Sequence, residues 1–97
     1  INDGRAIESV IHRRSVKLGG ARIRQELAAK GLSGEAVAEA LARLKDSEFE
    51  RAREVWRKKF GAAPEDAQAR SRQIRFLLTR GFAAEVVRRV VQGGEDD

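Results

Sequence analysis

The sequence predicts an all-α fold built from tandem three-helix repeats, and three observations predict it. Apolar residues recur with a 3.6-residue period in almost every segment, and no stretch alternates with a period of two. A cassette occurs twice, fifty residues apart: Leu27, Lys30, Gly31, Leu32, Glu35, Val37 and Leu41 are matched by Leu77, Arg80, Gly81, Phe82, Glu85, Val87 and Val91. Such self-similarity marks a stack of units that bury their faces on one another. Glycines then punctuate the periodic stretches at helix-length intervals.

Ala6, Ile7, Val10 and Ile11 form one stripe, which predicts a helix over 3–16 with Asp3 as its cap. Gly19-Gly20 breaks the chain. The second helix is expected over 21–30, with Ile23 and Leu27 on one face. Gly31 is placed as its left-handed C′ residue, and Leu32 at C″ faces Leu27 at C3, the hydrophobic contact of a Schellman stop. Gly81, Phe82 and Leu77 repeat the arrangement. Replacing either glycine by alanine should be costly, because a Cβ at positive φ is disfavoured.

Ser33 is the expected N-cap of a third helix over 34–44, with Val37, Leu41 and Leu44 facing inward. Ser47 and Glu50 have capping-box spacing, so a fourth helix should begin near Glu48. Its stripe of Phe49, Ala52, Trp56 and Phe60 holds three of the five aromatic residues and is expected to be the central core. Gly61 ends it. Pro64 suits the first turn of a fifth helix, where Glu65 and Asp66 complement the positive dipole end, and that helix should run through Ile74, Leu77 and Leu78 to Arg80. A sixth is expected over 84–91, after which Gly93-Gly94 and the acidic tail should fray. Phased on the glycine pair, the six helices divide into the last helix of a preceding repeat (1–18), a complete three-helix repeat (19–61), and the first two helices of a final repeat with the tail (62–97).

Composition bounds the function. Ninety-seven residues suit one small domain or two to three repeats. With no cysteine there is neither a disulfide framework nor a thiolate metal site, and a single histidine, His12, makes a histidine-based metal cluster improbable. No apolar run approaches the roughly 18 residues of a membrane span and no secretory leader is visible, so a monomer in a reducing cytoplasm is expected. The chain begins at Ile1 and contains no methionine, which reads as a piece of a longer protein whose amino-terminal portion is missing.

Charge is the second strong signal. The net charge is +5, yet Glu95, Asp96 and Asp97 stand together at the terminus; without them twelve acids face twenty bases, a balance of +8. A helical body this basic associates with polyanions or with an acidic protein surface.

Three segments carry a resemblance to a known family: Asn2-Asp3-Gly4-Arg5, then Arg22-Ile23-Arg24-Gln25-Glu26-Leu27-Ala28-Ala29-Lys30-Gly31-Leu32, and Phe76-Leu77-Leu78-Thr79-Arg80-Gly81-Phe82. They match in turn "NDxRF", "RIxxELxxKGI" and "RFLxxRGF", and Trp56 with Lys58-Lys59-Phe60 fits the middle of the pattern. The chain resembles the carboxy-terminal part of RecX, the bacterial recombination regulator of RecA. The family commonly has an aromatic residue where this chain has Ala6, and often another at Val10, which implies looser packing of the first helix. The resemblance implies an elongated, curved stack of three-helix repeats that binds RecA and RecA–ssDNA filaments, lodges in the filament groove, and suppresses ATP hydrolysis and strand exchange. It places the chain in homologous recombination, DNA repair and the SOS response.

No enzyme is expected. A nucleophile with its base, paired carboxylates in a pocket, or a metal cluster would be needed, and His12, followed by Arg13 and Arg14, reads as an ordinary exposed residue. No catalytic, cofactor-binding or metal-binding residue is assigned, and no cofactor is implied. The glycine pair Gly19-Gly20, at a helix start beside Arg22 and Arg24, could cradle a phosphate, although neutral amides alone make a weak site. Trp56 and Phe60 read as core; stacking on single-stranded bases would require exposed rings.

The basic residues are the expected partner surface. One group is Arg13, Arg14, Lys17, Arg22 and Arg24; a second is Arg57, Lys58 and Lys59, continued by Arg70, Arg72 and Arg75. Lys30 and Arg80 occupy equivalent places in the two cassettes, where each also complements a helix C-terminal dipole. Arg88 and Arg89 could extend the surface. Two classes stay open: docking on acidic surface inside a protein filament, and non-specific gripping of DNA phosphates. Base readout ranks below both, since no helix carries a cluster of Asn, Gln and Arg among small residues. A purely structural repeat scaffold ranks last.

Overall fold

The computed structural model describes residues 3–92 and contains six helices: α1 Asp3–Arg14, α2 Gly20–Ala29, α3 Glu35–Lys45, α4 Glu48–Lys59, α5 Ala67–Thr79 and α6 Ala84–Val91. The expected fraying of Gly93-Gly94 and the acidic tail, and the cap assigned to the Asp3 side chain, lie outside the described residues. The array is elongated, 50 × 25 × 19 Å. Among the described residues no helix is long and apolar enough to cross a membrane.

The apolar periodicity closes two separate cores. Ile7, Val10 and Ile11 of α1 meet Ile23 and Leu27 of α2 and Val37, Ala40 and Leu41 of α3. Ala52 of α4 meets Leu77 of α5, Phe82, and Val87, Val90 and Val91 of α6. Leu27 and Leu77, equivalent in the cassettes, are both fully buried, each contributing about 1.5–3 kcal/mol of transfer free energy. Helices α1–α3 therefore form one unit and α4–α6 another, which differs from the division at 18 and 61. The fifty-residue period stands, but its phase does not: Gly19-Gly20 lies between the first and second helices of a unit, and the units meet near Asp46 instead.

Both cassettes close as Schellman motifs. The Gly31 N–H donates to Ala28 O (2.9 Å) and the Leu32 N–H to Leu27 O (2.9 Å); the Gly81 N–H donates to Leu78 O (2.9 Å) and the Phe82 N–H to Leu77 O (3.3 Å). Gly31 and Gly81 stand at φ +80 and +93, which an L side chain rarely adopts.

Several local expectations change. The third helix is preceded by Gly34 at φ 95, with no side-chain cap from Ser33. Ser47 occupies the N-cap of α4 without capping it: its hydroxyl donates to Leu44 O (3.1 Å) and accepts from Arg51 Nε (3.0 Å), so no capping box forms. Pro64 and Glu65 precede α5, which starts at Ala67 under the Asp66 side chain, whose Oδ1 accepts from the Ala69 N–H at 2.7 Å. Helix α1 stops at Arg14, leaving Val16 exposed, and Ala6 faces solvent. The aromatic stripe of α4 is not the central core: only Ala52 is fully buried, while Phe49 and Trp56 are half-buried at the margin of the second cluster and Phe60, also half-buried, packs on Phe76. Trp56 reaches a polar partner, because Gln73 occupies the cassette position of Ile23. The indole Nε1–H donates to Gln73 Oε1 (2.7 Å), and Gln73 Nε2 donates to Ala62 O (3.1 Å), which satisfies a buried amide.

One joint locks the units together. At the start of α2 the Gly19 N–H donates to Arg80 O (2.8 Å) and the Ala21 N–H to Gly81 O (3.2 Å). The negative end of α5 thus caps the positive end of α2. Gly19 and Gly81 pass so closely that a Cβ on Gly19 would lie 2.4 Å from Gly81 backbone atoms. Buried Glu48 clasps the joint: Oε1 accepts from the Gly20 N–H (3.2 Å) and Oε2 from the Ala83 N–H (2.9 Å). Arg51 stands 3.6 Å from that carboxylate and donates to the carbonyls of Ser15 (2.9 Å), Leu18 (2.8 Å) and Leu44 (3.2 Å), tying the start of the second unit to the first.

Candidate partner-binding surface

The joint decides where the cations go. Arg22, one turn into α2, lies across the end of α5, and its Nη1 donates to Thr79 O (3.1 Å). Arg80, the C-cap of α5, places its guanidinium 4.8 Å from the Phe76 ring centroid; Lys59, at the end of α4, places Nζ 5.4 Å from the same ring. Phe76 is held in turn by Phe60, edge to face at 5.4 Å. Two cations on one ring face the negative side of its quadrupole, an attraction of about 0.5–1 kcal/mol at exposed sites. Arg72 and Arg75 stand on α5 four residues and one residue before Phe76, both exposed. The fold thus sets Lys59 and Arg80 on one ring and Arg22 of the other unit at the end of the same helix, whose exposed side carries Arg72 and Arg75.

The remaining cations divide. Arg14 is taken up by Glu26, to which Nε and Nη2 both donate at 2.9 Å. That contact raises the Arg14 pKa and holds the Glu26 carboxyl below its usual value. Arg57 is engaged in the same way by Glu54 on its own helix, again raising the guanidinium and lowering the carboxyl. Arg13, Lys17, Lys30, Lys58 and Arg70 are exposed. The group Arg13, Arg14, Lys17, Arg22 and Arg24 does not act as one cluster: Arg14 turns to Glu26, Arg22 to Thr79, and Arg24 to a groove at the joint. The second group is partly assembled, since Lys59 meets the helix carrying Arg72 and Arg75, whereas Arg57 is paired elsewhere.

The phosphate cradle expected at Gly19-Gly20 is not available. Its amides already donate to the Arg80 carbonyl and the Glu48 carboxylate, and an anion there would meet that carboxylate. Arg51 and Glu48 escaped the sequence reading. Burial lowers the Arg51 pKa while Glu48 opposes the shift, the signature of a structural cation. The available signal was the three-residue spacing of Glu48 and Arg51, hidden by the overlapping capping-box pattern of Ser47 and Glu50. Arg89 carries its guanidinium 4.4 Å from the Phe49 ring centroid.

Fold and surface define an array of two three-helix units with cations on both sides of their joint. Comparison with known proteins gives its family. Residues 2–41 match the family model for the second three-helix domain of RecX, and residues 46–91 the model for the third. The "Regulatory protein RecX" of Leptothrix cholodnii is 48% identical over 92 residues, covering 95% of this chain and 59% of that protein. The one from Ralstonia nicotianae is 42% identical over 95 residues, covering 98% and 60%. That from Chromobacterium violaceum is 42% identical over 96 residues, covering 99% and 62%. No solved structure matches the chain significantly. The chain belongs to the RecX family, and it spans about 60% of the length of these curated relatives. The matched segments fall one on each helical unit: 46–91 spans α4–α6, and 2–41 covers α1, α2 and the first part of α3.

Proposed function

We propose that this chain is part of a regulator that binds RecA and RecA–ssDNA filaments and inhibits ATP hydrolysis and strand exchange by lodging in the filament groove. Its setting is the bacterial cytoplasm, in homologous recombination and SOS-linked DNA repair, and it acts as a monomer. Family membership supports the reading, and one observation carries it: Lys59, Arg72, Arg75 and Arg80 with Arg22 form a cationic face that crosses from one unit to the next. An array 50 Å long with such a face can bridge neighbouring acidic subunits, resist the rearrangements that accompany hydrolysis, and block entry of a second DNA.

A second reading, non-specific DNA binding through phosphates, is favoured by Arg70, Arg72 and Arg75, which are exposed on one helix. One titration separates the two: binding of the chain to RecA assembled on single-stranded DNA and to the same DNA alone, over a salt series. Tight filament binding with weak binding to bare DNA is expected. Equal binding to both, with a log–log salt slope of about −0.7 per phosphate contact, establishes the DNA reading instead. The triple variant Arg72→Glu, Arg75→Glu, Arg80→Glu should lose filament binding with unchanged helicity; full retention removes these residues from the interface.

A further inference from the structure

The joint also forms a groove that the cationic face does not explain. Helices α2 and α3 make one wall, and the end of α5 with the turn into α6 makes the other, enclosing about 430 Å³. Ala21, Ala38 and Ala42 line it, and Leu78 projects into it. Leu78 is 43% exposed, one of two large apolar side chains so exposed among the described residues; the other, Val16, lies outside the groove. Arg24 and Lys45 also line it, without an ion-pair partner among the described residues. Glu48, the acid in the lining, is committed to Gly20, Ala83 and Arg51.

We infer that this groove docks an acidic amphipathic protein segment, which seats one large apolar side chain against Leu78 and sets carboxylates against Arg24 and Lys45. The inference rests on the proposed function, and the segment belongs to a RecA subunit of the filament. The groove is about half open to solvent, so a small molecule would leave part of its surface in water, short of the 70–90% burial of small-molecule sites. A nucleic-acid strand would find two cations around an apolar floor, too few for phosphate-driven affinity. An apolar centre with a charged rim is instead the anatomy of a protein interface, and an exposed leucine flanked by unpaired cations selects a partner of opposite sign. The cationic face would then supply long-range attraction, and the groove the desolvated anchor.

Leu78→Asp and Arg24→Glu/Lys45→Glu test this on RecA–ssDNA filaments, with Val16→Asp as control and Leu78→Ala in case the aspartate disturbs the helix. Helicity and melting of every variant are checked by circular dichroism, and the association state by sedimentation. Leu78→Asp and the double reversal should each weaken filament binding at least about tenfold, which is about 1.4 kcal/mol, Leu78→Ala about three- to tenfold, and Val16→Asp not at all. Wild-type binding with undiminished binding by the folded Leu78 variants overturns the groove while leaving the proposed function intact. Wild-type failure to bind filaments overturns both. A wild-type dimer that Leu78→Asp dissociates overturns the inference differently, by making the groove a self-interface.

Discussion

Removing the Glu48 carboxylate should separate the two units. Glu48→Ala deletes the acceptor of the Gly20 and Ala83 amides, at 3.2 and 2.9 Å, and the counter-charge 3.6 Å from Arg51. Both side chains of that pair are shielded, with 8% and 14% exposure. Each charge-assisted bond contributes about 1.5–3 kcal/mol, and breaking a buried pair by removing one partner costs about 3–5 kcal/mol. Arg51 keeps its bonds to the carbonyls of Ser15, Leu18 and Leu44, which holds the loss near the lower end of that range. A loss of about 3 kcal/mol corresponds to a melting temperature lower by about 12 °C or more for a domain of this size. Thermal and urea unfolding followed at 222 nm measure it, and Glu48→Gln, which keeps one acceptor, should lose about half as much. Amide exchange adds a local readout: Gly20 and Ala83 should lose protection before the cores do. A cost below about 1 kcal/mol with both amides still protected would refute the assignment of Glu48 as the clasp.

The glycines should rank by what surrounds them. Gly31→Ala meets only the strain of φ +80, about 1–2 kcal/mol, because nothing lies within 4 Å of its added Cβ. Gly81→Ala adds a collision with Arg22 at 2.6 Å, and Gly19→Ala, at an unstrained φ of −84, acts by collision alone. Urea unfolding should show Gly81→Ala costing more than Gly31→Ala; equal costs would refute the close joint. Acid should weaken the surface pairs. Glu26 and Glu54 have folded values below their ordinary 4.5, so the stability they add is present above 4.5 and is lost as pH falls through the lower folded values. The effect is small because water screens both pairs. The melting difference between the wild type and Arg14→Gln should therefore persist at neutral pH and vanish in strong acid, and a pH-independent difference would refute the pairing as its source.

Helix content and both cassette stops were legible because they rest on local physics: a 3.6-residue stripe and a glycine followed by an apolar residue specify their geometry within one or two turns. The grouping of helices was not. Gly19-Gly20 reads as punctuation, and nothing local reveals that its amides meet Arg80 and Glu48, which lie 28 or more residues away. The cationic surface was legible in kind and not in arrangement. Arg14 and Arg22 are eight residues apart in sequence, yet one turns to Glu26 of its own unit and the other to Thr79 of the next. Trp56 read as core because an aromatic stripe is apolar by composition. Gln73, buried where the other unit has Ile23, drew the indole to the edge of that core instead.

The two cassettes are chemically alike and sterically opposite. Gly81 is covered by Arg22, whereas Gly31, with the same backbone bend, has open space around it. The receiving ends differ too: α2 begins on a bare glycine that accepts a neighbour, while α5 begins under its own Asp66. The array therefore has a polarity, like a coupling with a plug at one end and a blanked socket at the other. A further unit of this type could be added with the same joint at the Lys30-Gly31 side. At the Asp66 side it would first have to displace a carboxylate.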